Sequence, residues 1–130
     1  MDRGHRGYRD LKVYKLAYAL AMDIFEETKA FPPEEKFSLI DQIRKSSRSA
    51  VTNIAEAWKK RLYPKSFVSK IIDSASEAGE TEVWLDFSKD CGYLEKPKYD
   101  QLMKGYDEVN RMLFGMVRKP GRFILVPSGK

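Results

Sequence analysis

The sequence holds one cysteine, Cys91, and one histidine, His5, among 130 residues. A lone cysteine excludes an internal disulfide framework and any multi-cysteine zinc site, and it points to a reducing cytoplasm. A lone histidine, set in a Gly- and Arg-rich arm, leaves nothing from which to build a His-based metal centre or a catalytic triad. No run approaches the ~18 consecutive apolar residues of a membrane span, and the charged N-terminus lacks the apolar core of a signal peptide. Gly-rich phosphate loops are missing as well, since Gly4 and Gly7 fit no such motif.

Carboxylate chemistry fares no better. A di-iron site in a helical bundle needs Glu-x-x-His pairs, and the one histidine lies outside the helical segments. Glu80 and Glu82 sit two apart on a helical stretch, so their side chains diverge by roughly 160–200° and cannot chelate one ion. Cys91 precedes a helix-ending glycine, at the negative end of the helix dipole, where a thiolate is disfavoured. The expectation is a cytoplasmic, non-enzymatic protein without cofactor or membrane partner.

What is present is charge and helical periodicity. Lys and Arg number 24 against 19 Asp and Glu, for a net charge of +5, and 42% of residues are hydrophobic. The length suits one domain with a real core. Apolar residues recur at three- and four-residue steps in four runs. The first is Tyr14, Ala17, Tyr18, Ala21, Ile24 and Phe25, with Asp10 as a plausible N-cap and Pro32-Pro33 as its stop. The second includes Ile40, Ile43, Ser47, Ala50, Val51, Ile54 and Trp58, starting at either Pro33 or Ser38. The third runs from near Lys65 to Gly92, a good C-terminal glycine, and the fourth from near Pro97 to Pro120. The tail Phe123 to Val126 reads as a strand or a docked extension. Short connections make successive helices antiparallel neighbours. The expected fold is therefore all-α, an up-down-up-down four-helix bundle over residues 10–120, with a basic arm at 1–9 and a tail at 121–130.

That topology polarises the charge. The arm, the turn between the second and third helices, and the tail would share one pole. They bring Arg3, Arg6, Arg9, Lys12, Lys59, Lys60, Arg61, Lys65, Arg118, Lys119, Arg122 and Lys130 together against Asp2 and Asp10. Twelve cations against two acids leave +10 at the pole and −5 elsewhere. Such a cluster is the electrostatic footprint of a nucleic-acid-binding surface. Some of these cations also suit helix C-termini, where the dipole favours them. Tyr8 and Tyr63 are placed to stack on unpaired bases, whereas Tyr14 and Phe123 read as packed residues.

Arg44 and Arg48 are assigned to structure instead. Pairing the second and third helices about residue 63 sets Arg44 opposite Glu82 and Arg48 opposite Glu77, an interhelical ion-pair layer. Asn53 and Glu56, three apart on one face, would bond each other. The small residues from Ser46 to Ala55 would let helices approach closely.

Several of these stretches form a recognisable set. Gln42-Ile43-Arg44-Lys45-Ser46-Ser47, Asn53-Ile54-Ala55-Glu56 and Trp58-Lys59-Lys60-Arg61 occur with Glu80-Thr81-Glu82-Val83-Trp84-Leu85-Asp86-Phe87 and Asp90-Cys91-Gly92-Tyr93-Leu94. With Asp10-Leu11-Lys12-Val13-Tyr14, they resemble the bacterial four-helix-bundle proteins encoded in 23S ribosomal RNA intervening sequences. The resemblance spans about residues 8–123. It implies an antiparallel bundle, a ring-shaped homopentamer and association with structured RNA. It carries no catalytic residue, and makes Arg44, Asn53, Glu56, Glu80 and Glu82 structural or interface residues. Ala57 stands where the family often has glycine, and residues 124–130 run past the family's usual end. The chain is more distantly similar to accessory variability determinant proteins of diversity-generating retroelements. That likeness implies the alternative function, a scaffold or accessory factor of a reverse transcriptase. The leading expectation is an oligomeric protein that binds nucleic acid, RNA favoured, through backbone charge. No recognition helix for reading bases in a duplex is evident.

Overall fold

Four helices carry most of the chain in a computed structural model that describes residues 7–124. They are α1 (Lys12–Thr28), α2 (Leu39–Lys59), α3 (Pro64–Asp90) and α4 (Lys96–Arg118), and there is no strand among the described residues. Arg3, Arg6 and Lys130, with the outer parts of the expected arm and tail, lie outside those residues.

The helix ends show how local chemistry overrode simple capping rules. Asp10 does not cap α1; it closes a 3-10 turn, Tyr8–Asp10, and the helix starts two residues later behind Leu11. Leu11 is buried, so the chain bends where that side chain enters the core. At the next junction both sequence alternatives are used. Pro33 opens a short 3-10 turn, and Ser38 takes the N-cap position of α2. The capping acceptor is nevertheless Glu35, whose Oε1 takes the Ser38 hydroxyl at 2.6 Å and the Leu39 N–H at 3.3 Å. Gly92 ends α3 as its position suggests, with φ of 80°, and the N–H groups of Tyr93 and Leu94 both close onto the Ser88 carbonyl. After α4, Pro120–Arg122 form a last 3-10 turn, and the Phe123 ring stacks on Phe67 at 6.1 Å. That part of the tail is a docked extension.

Each helix packs on two others. The pairs α1 with α2, α2 with α3, α3 with α4 and α4 with α1 touch, and the two diagonal pairs do not. Ile24, Ile43, Ile54, Phe67, Ile71, Leu85, Leu102 and Leu113 fill the centre. Each such side chain contributes about 1.5–3 kcal/mol by leaving water. The α2–α3 seam is lined by small residues that let the backbones close up. Within it the Ser46 and Thr81 hydroxyls bond at 2.7 Å, and Ser74 donates to the Ala50 carbonyl at 2.6 Å. A step forward along α2 is thus a step backward along α3.

This seam overturns the expected ion-pair layer. Arg44 and Arg48 each lie two residues from Ser46, hence about 200° around the helix, and point away from α3. Arg44 turns to α1 instead. Its Nε donates to Thr28 Oγ1 at 2.8 Å, and a terminal nitrogen donates to the Phe25 carbonyl at 3.2 Å. A cation there meets the negative end of the α1 dipole. Lys45 is the α2 cation that acts on Glu77, whose partial burial still pushes its pKa above the ordinary carboxylate value. Glu82 accepts from Asn110 on α4 at 2.9 Å, while Glu80 accepts from the Trp84 indole at 3.3 Å. Glu56 does not bond Asn53. It pairs with Lys70 at 3.0 Å, and the Asn53 amide donates to the Ser49 carbonyl at 2.9 Å.

Two positions test this packing. A Cβ on Gly105 would lie 2.5 Å from Leu20 Cδ2, so Gly105→Leu should overpack the α1–α4 contact and lower stability in chemical denaturation by about 1–3 kcal/mol. An undiminished midpoint would contradict that contact. The Tyr106 hydroxyl is buried near Thr81 without a well-formed hydrogen bond among the described residues, and burial raises its pKa strongly. Tyr106→Phe should therefore leave stability unchanged or raise it by up to about 1 kcal/mol, and a clear loss would reveal an unseen partner.

Candidate nucleic-acid interface

The basic pole is assembled from three chain segments that the packing brings to one end. The Tyr8–Asp10 turn rests on α1 and α2, where the Lys59 ammonium lies 5.9 Å from the Tyr8 ring and the Arg9 guanidinium 4.7 Å from it. The connection from α2 to α3 lies at the same end. On the other side Pro120–Arg122 pack on α3, anchored by Phe123 on Phe67. Arg9, Lys12, Lys59, Lys60, Arg61, Lys65, Arg118, Lys119 and Arg122 are thereby gathered, as the charge pattern anticipated.

Eight of these nine cations are exposed, Arg61 being the half-buried one. Those eight form no ion pair among the described residues, whose salt bridges lie elsewhere on the bundle. Lys98 with Asp23 at 3.0 Å, and Lys70 with Glu56, show where partnered charge goes. The first turns of α1 and α3, which also open at this pole, carry no acidic residue. The negative ends of α2 and α4 lie at the same pole, so the helix dipoles largely offset one another and the positive field comes from the side chains. A recess of about 330 Å³ is lined by Met112, Met116, Phe123 and the cations Arg118, Lys119 and Arg122.

Arg61 has a different environment from its neighbours. Its guanidinium lies 3.7 Å over the Trp58 ring and its Nε donates to the Trp58 carbonyl at 2.8 Å. It closes the C-terminal end of α2, a role no spacing rule distinguishes from surface charge. Among the aromatics, Tyr63 is 63% exposed amid the cations, Tyr8 is half-buried, and Tyr14 packs against the core.

At the far pole two carboxylates accept from tyrosines. Tyr93 donates to Glu35 at 2.9 Å, and Tyr99 to Asp86 at 2.5 Å. The hydrogen bonds from Ser38 and Tyr93 hold the Glu35 carboxyl below its usual range, and Tyr93 and Tyr99 are each pushed up to about 12 by donating to a carboxylate. Cys91 is exposed at the end of α3. Among the described residues no group of three or more His, Cys, Asp or Glu is placed to hold a metal ion. Nor is any helix among them long and apolar enough to cross a membrane. What the basic pole can do chemically is bind anions by charge.

The model of the family described as 23S rRNA-intervening sequence protein matches residues 9–115. A crystal structure at 1.70 Å of a protein of unknown function from the S23 ribosomal protein family of Bacteroides thetaiotaomicron is similar in fold, with a TM-score of 0.74 and 27% identity. The match covers 82% of this chain and 95% of that one. Neither description carries an enzymatic activity. Among curated proteins, none matches this chain.

Proposed function

The chain belongs to the 23S rRNA-intervening sequence protein family, and from that premise we propose a non-enzymatic, oligomeric nucleic-acid-binding protein that holds structured RNA by its phosphate backbone. The observation that carries this reading is the set of eight exposed cations at one pole, without carboxylate partners among the described residues. Counterions condensed on RNA would be released as those cations replace them, which supplies affinity without base reading.

The oligomer is proposed on a second feature. The bundle reads as up-down-up-down, which leaves one face of α3 outward. That face carries Val68, Ile72, Gly79, Val83 and Phe87, with Ile72, Val83 and Phe87 each about half exposed. A Cβ on Gly79 would meet nothing within 4 Å in its own chain. A mid-helix glycine costs about 1 kcal/mol relative to alanine, so its presence at an open position suits close approach by another subunit. We take this stripe as the contact of a ring-shaped homopentamer, which would align the basic poles on one face.

Reversing Lys59, Lys60 and Lys119 to Glu should lower affinity for an RNA hairpin by about tenfold or more in fluorescence anisotropy at low salt, with unchanged melting of the protein. Arg61 is spared because it caps α2. Wild-type affinity in that variant would sink the RNA assignment. For the oligomer, light scattering should give about five times the 15.1 kDa chain mass for the native protein, and Ile72→Glu with Val83→Glu should reduce it. A single-chain mass for the native protein would refute the ring.

A further inference from the structure

Arg44 and Arg48, turned away from α3, mark a second surface on the flank where α1 meets α2. Arg44 is committed there, its hydrogen bonds holding the guanidinium 4.6 Å over the Phe25 ring. Arg48 is exposed, 5.7 Å from the same ring, and forms no ion pair among the described residues. Two recesses meet at Arg48 and Thr52. One, of about 340 Å³, is lined by Tyr14, Tyr18, Ala21 and Met22 of α1. The other, of about 570 Å³, runs along α2 to Lys36 and Phe37. Phe37 is 85% exposed, with the Lys36 ammonium 5.4 Å from its ring. Asp41 is the one carboxylate lining either recess.

Rings and cations share this flank, which runs into the basic pole. Tyr18 lies 5.8 Å from Tyr14, and Tyr14 lies 5.0 Å from Tyr8, whose ring carries Arg9 and Lys59. Along α2 alone, from Leu39 to Lys59, this is a path of about 30 Å at the helical rise. Exposed rings are wasted on a duplex, which presents phosphates and hides its base faces. Cations are wasted on an apolar partner helix. An unpaired strand offers a phosphate and a π-face at every nucleotide.

We propose that the α1–α2 flank is a track for an unpaired nucleic-acid strand, with bases stacking on Tyr18 and Phe37 and phosphates held by Arg48 and Lys36. This deepens the RNA reading of the pole and rests on it: a paired stem held at the pole would lay its unpaired segment along the flank.

The test uses the full chain, an unstructured uridine oligomer of about ten nucleotides and a blunt RNA duplex, both fluorescently labelled, at one low salt concentration. Tyr18→Ala with Arg48→Gln should weaken oligomer binding about tenfold or more while changing duplex binding by less than about twofold. Phe37→Ala, at an 85% exposed position, repeats the test where the fold is not at risk. Equal weakening of both ligands, or no change for the oligomer, overturns the track. A changed oligomeric mass with unaltered oligomer affinity overturns it too, and makes the flank a subunit contact. Failure of the two readings is separable. Lys59→Glu, Lys60→Glu and Lys119→Glu together sparing duplex binding remove the pole, whereas flank variants that spare the oligomer remove the track alone.

Discussion

The hydroxyl seam between α2 and α3 is the constraint on which the rest of the molecule depends. Ser46 with Thr81 and Ser74 with the Ala50 carbonyl are buried hydrogen bonds between the helices, and slipping the register would break both. They fix both the register of the two helices and the rotation of α2 about its own axis. Once that rotation is set, Ile43, Ala50, Ile54 and Ala57 must face the core, and Arg44 and Arg48 must face α1. The same register delivers Lys59 and Lys60 to the end where α3 begins and the tail returns.

Much of this architecture was legible in the sequence because apolar spacing reports which residues a helix buries. Four runs became four helices, Gly92 ended one of them in the conformation only glycine adopts readily, and prolines marked the breaks. The cations expected at one pole are there wherever the chain is described. Rotation was not legible. Placing Arg44 opposite Glu82 was right for its height along the bundle but wrong by half a turn, since period-based reasoning gives height more reliably than azimuth. Glu56 failed for a related reason: a local partner, Asn53, was weighed, and Lys70 on the next helix won. Arg61 is a third kind of miss. Charge and position could not show that its guanidinium lies against Trp58.

The electrostatic consequence is a molecule whose net charge of +5 understates its field. Glu56, Asp23 and Asp100 pair with Lys70, Lys98 and Lys96, and at the far pole Glu35 and Asp86 accept from tyrosine hydroxyls. The cations at the arm, the α2–α3 turn and the α4 end receive no such partner among the described residues. The proposed RNA reading draws on two independent observations. One rests on matched sequence over residues 9–115, the other on which charges the fold leaves unpaired.

If the basic pole holds RNA, as proposed, backbone charge is the source of the affinity. The direct measurement is the binding constant of the native protein for an RNA hairpin across a range of monovalent salt. If the pole engages four or more phosphates, the logarithm of the constant should fall against the logarithm of salt with a slope of about −3 or steeper. A slope near zero, or no binding at low salt, would contradict it.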